Sequence, residues 1–457
     1  FGAGGHGDTD LKDWARHWSR AVGIVSETCH AIDPSIEVLP WEYNIDFRPH
    51  RVELKRHVTG LLPADTIPLL TWENGTAFEL DGLHGYLRDY SISRIGPAPV
   101  AAAQIEAAQK RGMPVYCKVD TFATWQFGTT PYIPAPQQWQ RRYDAVTAHG
   151  VDGTLETWSN GYKPNFVARL RSWSAWSDSM PYDELLQATA RQLFGAGNEA
   201  LVVQAWDQFS RAIGLVPDTG PSMGTNSAVA NPLFLDEPPT RIMTLDNSWW
   251  DEDRKFHWRH RLVPQWPYAH RIMVFYPDFT NNVNRAEEYA RTRSGIGQLE
   301  SAERLEGVSV LQIFNRHVLQ AAEAFEQGLV SYRAAALAAP TEARANAFKE
   351  VLLVEQMRRM LLSLHAILEF EDLRFRVCHT TDADAAGALL DRMQTILQEE
   401  IPRTEMALET ARLDSRLGYE AEMDYVYTPY VIEEKLRLLR QTLEVQLPRR
   451  RVACGAS

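Results

Sequence analysis

Four acidic residues each follow a short apolar segment early in the chain: Glu42, Glu73, Asp120 and Glu156. Tryptophans accompany them at Trp41, Trp72, Trp125 and Trp158. Cleavage of a glycosidic bond needs two carboxyl groups, one to protonate the leaving oxygen and one to attack carbon or activate water. Burial among aromatic rings raises the pKa of a carboxyl group, and indole rings stack on sugar faces. The pattern therefore indicates chemistry on a sugar.

Glu73 and Glu156 end their apolar segments most cleanly and are the first candidates for catalytic carboxyl groups, with Asp120 as the third. Lys118 lies two residues before Asp120, on the same face of the expected strand. There it keeps Asp120 ionised or binds an acidic sugar, or it only extends its amine to solvent. Spacing alone does not select the catalytic pair. The residues expected to bind substrate are Glu42, Trp41, Trp72, Trp125, Trp158, Lys118 and Asn74, and neither a cofactor nor a metal ion is expected.

The apolar segments have the length of buried strands, and helix-length stretches near residues 50–60, 100–111 and 136–149 separate them. Alternating strands and helices predict a parallel sheet, in which all strands end at one rim. We therefore expect the four carboxylates to share one pocket at that rim. The alternative is that each acid only ends a strand or caps the following helix.

This arrangement predicts the C-terminal half of a (β/α)8 barrel, its fifth to eighth strands, followed by an all-α region. A complete barrel takes about 250 residues, so the first four strands are expected before Phe1. The fold class is thus α/β and then all-α. The expected domains are residues 1–180 as the half-barrel, 181–282 as helices with a Trp-rich loop region, and 283–457 as a helical bundle.

Apolar residues at helical spacing extend through the C-terminal third of the chain. They predict one long helix introduced by Pro340-Thr341, then helices at 382–399, 402–416 and 430–446, packed as an antiparallel bundle. The tryptophan-rich segment 249–266 is expected near the barrel rim or at a contact between subunits, because so many indoles must be buried somewhere.

Length, charge and composition indicate the number of domains and argue against several classes of protein. A chain of 457 residues predicts two or three domains, and a net charge of −12 argues against a nucleic-acid groove. No apolar run approaches the length of a membrane span, and the four cysteines lack metal-ligand spacing.

The chain starts at Phe1 without an initiator Met or a signal peptide, so it resembles the interior of a longer product. Its compartment stays open, with secreted and periplasmic locations both compatible.

After the fourth segment, an Asn-containing turn leads to a helix with Trp173-Ser174-Ala175-Trp176, and further helices follow. This layout, over roughly residues 1–215, resembles (β/α)8 glycoside hydrolases with C-terminal helical regions, such as the hexosaminidase, O-GlcNAcase and α-glucuronidase families. In family 20 hexosaminidases, a His-x-Gly-Gly-Asp-Glu run supplies the acid. The corresponding stretch here, residues 4–10, lacks the Asp-Glu pair. The resemblance therefore leaves open whether the proton donor precedes Phe1.

The sequence predicts a glycoside hydrolase acting on a glycan that carries an N-acetyl or a uronic acid group. The alternative is a non-catalytic carbohydrate-binding barrel whose helical bundle is a scaffold or dimerisation module. In either case the expected partner is a carbohydrate, with no nucleic acid and no membrane, and a homodimer would form through the helical region.

Overall fold

The computed structural model describes residues 8–42, 51–81, 83–86, 91–120, 127, 129–156, 165–216, 228–230, 232–235, 310–418 and 428–456. The described chain is mostly helical and contains a small parallel sheet. The segment 249–266, with its tryptophans, lies outside the described residues, as do Trp125 and Trp158.

The parallel sheet contains β1 (Leu69–Thr71), β4 (Tyr116–Val119) and β5 (Gly153–Glu156), in that order. Trp41 adds a parallel bridge to Leu69, so a fourth segment lies beside β1. All four expected segments are therefore parallel neighbours in chain order, which is the arrangement that a half-barrel requires. The described strands form an open sheet, and no closed barrel is seen among them.

Helices connect these segments, as the sequence predicts. They are α2 (Val52–Leu61), α3 (Pro99–Gln109) and α4 (Pro136–Ala148), preceded by α1 (Asp8–Ile32). Proline at the first helical position starts α3 and α4, because its fixed φ suits a helix and no intrahelical N–H bond is needed there. An antiparallel hairpin that the sequence did not indicate, β2 (Ala77–Leu80) with β3 (Leu83–Tyr86), is inserted between β1 and α3.

Side-chain alternation gives the parallel sheet two different faces. The face toward the helices is apolar and packs on α3 and α4, and we call it the helix face. Its buried residues include Leu70, Trp72, Val115, Cys117 and Val119. Residues between these positions project to the opposite side, which we call the inner face, because successive side chains of a strand point in opposite directions.

Helices account for the rest of the described chain. They are α5 (Phe166–Ser174), α6 (Tyr182–Phe194), α7 (Glu199–Leu215), α8 (Val310–Ala338), α9 (Thr341–His379), α10 (Ala383–Leu413), α11 (Pro429–Gln441) and α12 (Leu447–Ala453), with a π-helical turn at Thr442–Gln446 between the last two. None of the described helices is long and apolar enough to span a bilayer.

The expected break between helices at 399 and 402 is wrong, because α10 continues through Pro402. A proline inside a helix removes one backbone hydrogen bond and strains the turn before it. Packing outweighs this cost here: Ile396 and Leu397 before the proline and Ala407 after it are all buried in the same core.

One continuous hydrophobic core joins the helices to the sheet-bearing part of the chain. It includes Trp139 of α4 and Phe166 of α5 together with residues of α7 to α12. Trp206 stacks on Phe166 with ring centroids 4.7 Å apart, which ties α7 to α5. The helical region is therefore packed directly against the elements that carry the sheet.

Candidate functional site

Glu73 and Asp120 lie level with each other at the carboxyl ends of β1 and β4. The strand register pairs Thr71 with Lys118, which places the residues two positions further on at the same height. Since the side-chain period of a strand is two, Thr71, Glu73, Lys118 and Asp120 all belong to the inner face. The rim thus brings together two of the four expected carboxylates and the expected lysine.

Lys118 bridges the two carboxylates. Its Nζ lies 2.8 Å from Oε1 of Glu73 and 3.0 Å from Oδ1 of Asp120. Those two oxygens are therefore no more than about 6 Å apart, close to the roughly 5–5.5 Å between carboxyl groups in retaining glycosidases. Lys118 is fully buried, so the interpretation that it extends its amine to solvent is wrong.

Arg142 of α4 completes the group of charges, which we call the rim cluster: Glu73, Lys118, Asp120 and Arg142. Its Nη2 lies 3.1 Å from Oε2 of Glu73. All four side chains are at most 2% exposed. Two acids thus face two bases in a site from which solvent is excluded, where each charge depends strongly on its neighbours.

Asp120 is the member of the rim cluster whose charge is least well compensated. Burial raises its pKa to about 6, with Lys118 acting to lower it and Glu73 acting to raise it further. Its second oxygen, Oδ2, is buried, and no residue that the structure describes donates a hydrogen bond to it. A buried acceptor without a donor is costly, whereas a protonated Oδ2 would become a donor. Asp120 is therefore the group of the cluster best suited to carry a proton near neutral pH.

Glu42 does not share this site, contrary to expectation. Trp41 pairs with Leu69 of the inner face, so Glu42, one residue later, is directed to the helix face. There Nε2 of Gln104 donates to Oε2 of Glu42 at 2.8 Å, and Lys55 lies 3.5 Å from the same oxygen. Burial raises the pKa of Glu42. Its surroundings are α2 and α3 rather than the rim cluster.

Glu156 is also on the helix face, so the expectation of one pocket for all four carboxylates is wrong for it as well. It pairs with Val119, whose side chain lies in the core between sheet and helices. Arg171 of α5 donates to Glu156, and its guanidinium carbon lies 4.1 Å from the ring centroid of Tyr143. Glu156 therefore links β5 to α5 and α4.

The described tryptophans also divide between the two faces. Trp72 is completely buried on the helix face, where its indole N–H donates to the carbonyl of Ile95 at 2.8 Å, so it cannot stack on a sugar. Trp41 is half-buried on the inner face and donates to Oγ1 of Thr71 at 3.1 Å. Asn74, half-buried, follows Glu73 in the turn after β1. Substrate binding by Trp41 and Asn74 stays a prediction.

Arg142 was not among the residues expected from sequence, although a signal for it exists. Trp139, Arg142 and Val146 recur at helical spacing on the buried face of α4. A charged residue within such an apolar stripe must find a buried partner of opposite charge. In the described part of the chain, no group of three or more His, Cys, Asp or Glu side chains is arranged to hold a metal ion.

No family model matches the sequence, and a search of curated proteins finds no significant match. Among solved structures, the chain is similar to one described as a GH138 enzyme targeting pectin rhamnogalacturonan II, with a TM-score of 0.43 and 10% sequence identity. The likeness covers 92% of this chain and 44% of that one, so this chain spans less than half the length of its match. A TM-score this low does not establish a shared fold.

Proposed function

We propose that the protein is a glycoside hydrolase in which Asp120 is the proton donor and Glu73 the second carboxylate. One observation carries the proposal: two carboxyl groups about 6 Å apart or closer, bridged by Lys118 at the carboxyl ends of adjacent parallel strands. The difference between their environments supports it further. Two cations contact Glu73, while burial raises the pKa of Asp120 to about 6. Unequal environments of two neighbouring carboxyl groups are how glycosidases separate the acid from the nucleophile.

In the proposed reaction, protonated Asp120 gives its proton to the glycosidic oxygen as the bond from that oxygen to the anomeric carbon breaks. The ionised Glu73 attacks the anomeric carbon and forms a glycosyl ester. Asp120, now a carboxylate, removes a proton from water, and the resulting hydroxide releases the sugar and restores Glu73. The short separation of the two carboxyl groups favours this retaining course over inversion, which requires roughly 6.5–9.5 Å.

Of the two sugar classes expected from sequence, we favour a uronic acid. Lys118 and Arg142 place two cations beside the carboxylates, and a cation is what an acidic sugar needs for recognition. Trp41 on the inner face would provide the aromatic surface for the sugar ring.

A second candidate is the non-catalytic carbohydrate-binding protein with a helical scaffold. It is supported by the equal number of acids and bases in the rim cluster and by their burial, features that purely structural ion networks share. Val330 and Leu337 lie seven residues apart on α8 and are 62% and 69% exposed. Such a stripe on the helical region would suit the dimer contact that this candidate requires.

Substitution separates the two candidates. We expect Asp120→Asn and Glu73→Gln to reduce hydrolysis of aryl uronides or aryl N-acetylhexosaminides by about 10²–10⁴-fold, the usual contribution of acid–base catalysis. Glu156→Gln is the matched control, since it removes a carboxylate from the opposite face of the same sheet, and its rate should stay at the wild-type level.

Turnover by the wild type should also decline as the pH rises above about 6, because Asp120 must be protonated to act.

Folded Asp120→Asn and Glu73→Gln proteins that hydrolyse substrate at the wild-type rate would remove both residues from the mechanism. A wild type that binds glycans but cleaves none of these substrates would favour the non-catalytic candidate.

A further inference from the structure

A polar cavity lies where the sheet-bearing part of the chain meets the helical region. It measures about 320 Å³, near the lower limit of small-molecule sites, roughly 300–1,000 Å³. We call it the Glu350 cleft and define it by six of its lining residues: Tyr132, Asn165, Phe166, Lys349, Glu350 and Arg416. None of these residues belongs to the rim cluster.

Glu350 of α9 forms the buried end of the cleft. It is 6% exposed and accepts a hydrogen bond from the hydroxyl of Tyr132 at Oε1. The hydroxyl of Tyr332 lies 3.4 Å from Oε2, and Nε1 of Trp206 in turn donates to that hydroxyl at 3.2 Å. A carboxylate offers about four acceptor positions, so Glu350 is held in place by two tyrosines while acceptor capacity remains for a ligand hydroxyl.

Three basic side chains line the cleft together with this acceptor: Arg169, which donates to Oε1 of Gln192 at 3.0 Å, and the two cations Lys349 and Arg416. Nε and Nη2 of Arg416 donate hydrogen bonds to the carboxylate of Asp414. In the part of the chain that the structure describes, Nη1 of Arg416 makes no hydrogen bond. Lys349 is exposed and makes no hydrogen bond or ion pair with any described residue. Both side chains line the cleft, so a ligand carboxylate could receive charge-assisted hydrogen bonds there.

The remaining wall is aromatic. The rings of Tyr132 and Phe166 meet edge to face, with centroids 5.6 Å apart and an interplanar angle of 89°. Both residues are at most 4% exposed. An apolar corner beside a carboxylate acceptor and two cations matches a compact ligand with one apolar face, several hydroxyl groups and one acid group.

We propose that the Glu350 cleft binds a small polyhydroxylated carboxylic acid of the size of a single uronic acid. Lys349 and Nη1 of Arg416 bind the ligand carboxylate, Glu350 accepts from a hydroxyl group, and Tyr132 with Phe166 contact the less polar face. This inference does not depend on the proposed hydrolase activity, since none of the residues that line the cleft belongs to the rim cluster.

Titration calorimetry with D-glucuronate tests the proposal on the full chain, with D-glucose as the probe that lacks the carboxylate. We expect glucuronate to bind at millimolar concentrations or below and glucose to bind at least about tenfold more weakly, the change that one lost charge-assisted contact produces. Lys349→Gln should weaken glucuronate binding by about threefold to tenfold. Lys110→Gln, at an exposed lysine directly after α3, is the matched control and should leave the affinity unchanged.

Arg416→Gln gives a second test in case the exposed lysine contributes little, and thermal unfolding of this variant checks that it is folded. It should abolish detectable glucuronate binding. The Asp120→Asn protein should bind glucuronate in the cleft as the wild type does, which keeps this result separate from the outcome for hydrolysis. Equal affinity for glucose and glucuronate, no binding of glucuronate, or unchanged binding by both cleft variants would overturn the proposal.

Discussion

Two buried ion clusters in the described part of the chain differ in how their acids are compensated. In the helical region, Glu400 contacts Lys435 and Arg403 and accepts a hydrogen bond from Ser363 at 2.7 Å. Burial alone would raise the pKa of Glu400, but the two cations and the hydrogen bonds outweigh it and lower that pKa. This cluster, which we call the bundle cluster, holds a single acid in its ionised form.

The rim cluster has two acids for its two bases, and Asp120 has the raised pKa and an oxygen to which none of the described residues donates a hydrogen bond. The bundle cluster is thus arranged to keep its charge, while the rim cluster contains a group that can exchange a proton near neutral pH. Burial and ion pairing alone do not distinguish a functional cluster from a structural one. The two clusters differ instead in the number of acids per base and in the hydrogen bonds that the described residues give to the acid oxygens.

Lys435 is the central lysine of the bundle cluster and Lys118 that of the rim cluster. Replacement of Lys435 should lower the free energy of unfolding more than replacement of Lys118. We expect Lys435→Met to destabilise the fold by about 3–5 kcal/mol, the usual cost of breaking a buried pair. Lys118→Met should cost less below pH 6, because Asp120 can take up a proton and thereby remove the uncompensated charge. Denaturant unfolding at pH 5 and pH 8 measures both variants. Equal and pH-independent losses would show that the two clusters are equivalent.

The two clusters should also contribute to the pH dependence of stability with opposite signs. The folded pKa of Asp120 is raised from 3.8 to about 6, so the folded state binds the proton more tightly and stability falls as the pH rises across that window. The contribution is at most about 3 kcal/mol, at roughly 1.4 kcal/mol per pKa unit. Glu400 has a lowered pKa, so its stabilisation is present above its ordinary pKa and is lost as the pH falls.

Comparison of wild type with Asp120→Asn and Glu400→Gln from pH 3 to pH 8 measures these slopes. Asp120→Asn should become more stable relative to wild type as the pH rises from about 4 to about 6. Glu400→Gln should become less stable relative to wild type as the pH rises through the range between the lowered pKa of folded Glu400 and its ordinary value of 4.5, and the difference should stay constant above it. Parallel curves for all three proteins would contradict the assignment of the titrating group.

The smallest effect is expected outside both clusters. Glu156 and Arg171 are 17% and 15% exposed, and ion pairs near the surface usually contribute no more than about 1 kcal/mol. Glu156→Gln should therefore change the free energy of unfolding by less than about 1 kcal/mol. A loss as large as that of Lys435→Met would indicate that Glu156 has a central role that its position on the helix face does not explain.

Much of the sheet was accessible from sequence, because short apolar segments separated by helix-length stretches leave few alternatives to parallel strands. The four segments, the helices between them and the helix that begins after Pro340 all follow from periodicity and proline placement. The hairpin of β2 and β3 was missed, since its strands are four residues each and lack a strong alternating pattern.

The site was predicted only in part, and the reason is the two-residue period of strands. Glu73, Lys118 and Asp120 share the inner face, whereas Glu42 and Glu156 are shifted by one residue and point to the helices. The position of an acid at the end of a strand does not fix its face; the register with neighbouring strands does, and register is a tertiary property. The homodimer, the domain boundaries and the functional roles of the site residues stay predictions.

The most direct test of the proposed role of Asp120 is the pKa of its carboxyl group, measured by carbon-13 NMR of protein labelled at aspartate side chains. Asp120→Asn identifies the signal by its disappearance. We predict a pKa of about 6 in the wild type and a lower value in Glu73→Gln, because removal of the neighbouring negative charge favours ionisation of Asp120. A wild-type pKa below 4, unchanged by Glu73→Gln, would contradict Asp120 as the proton donor.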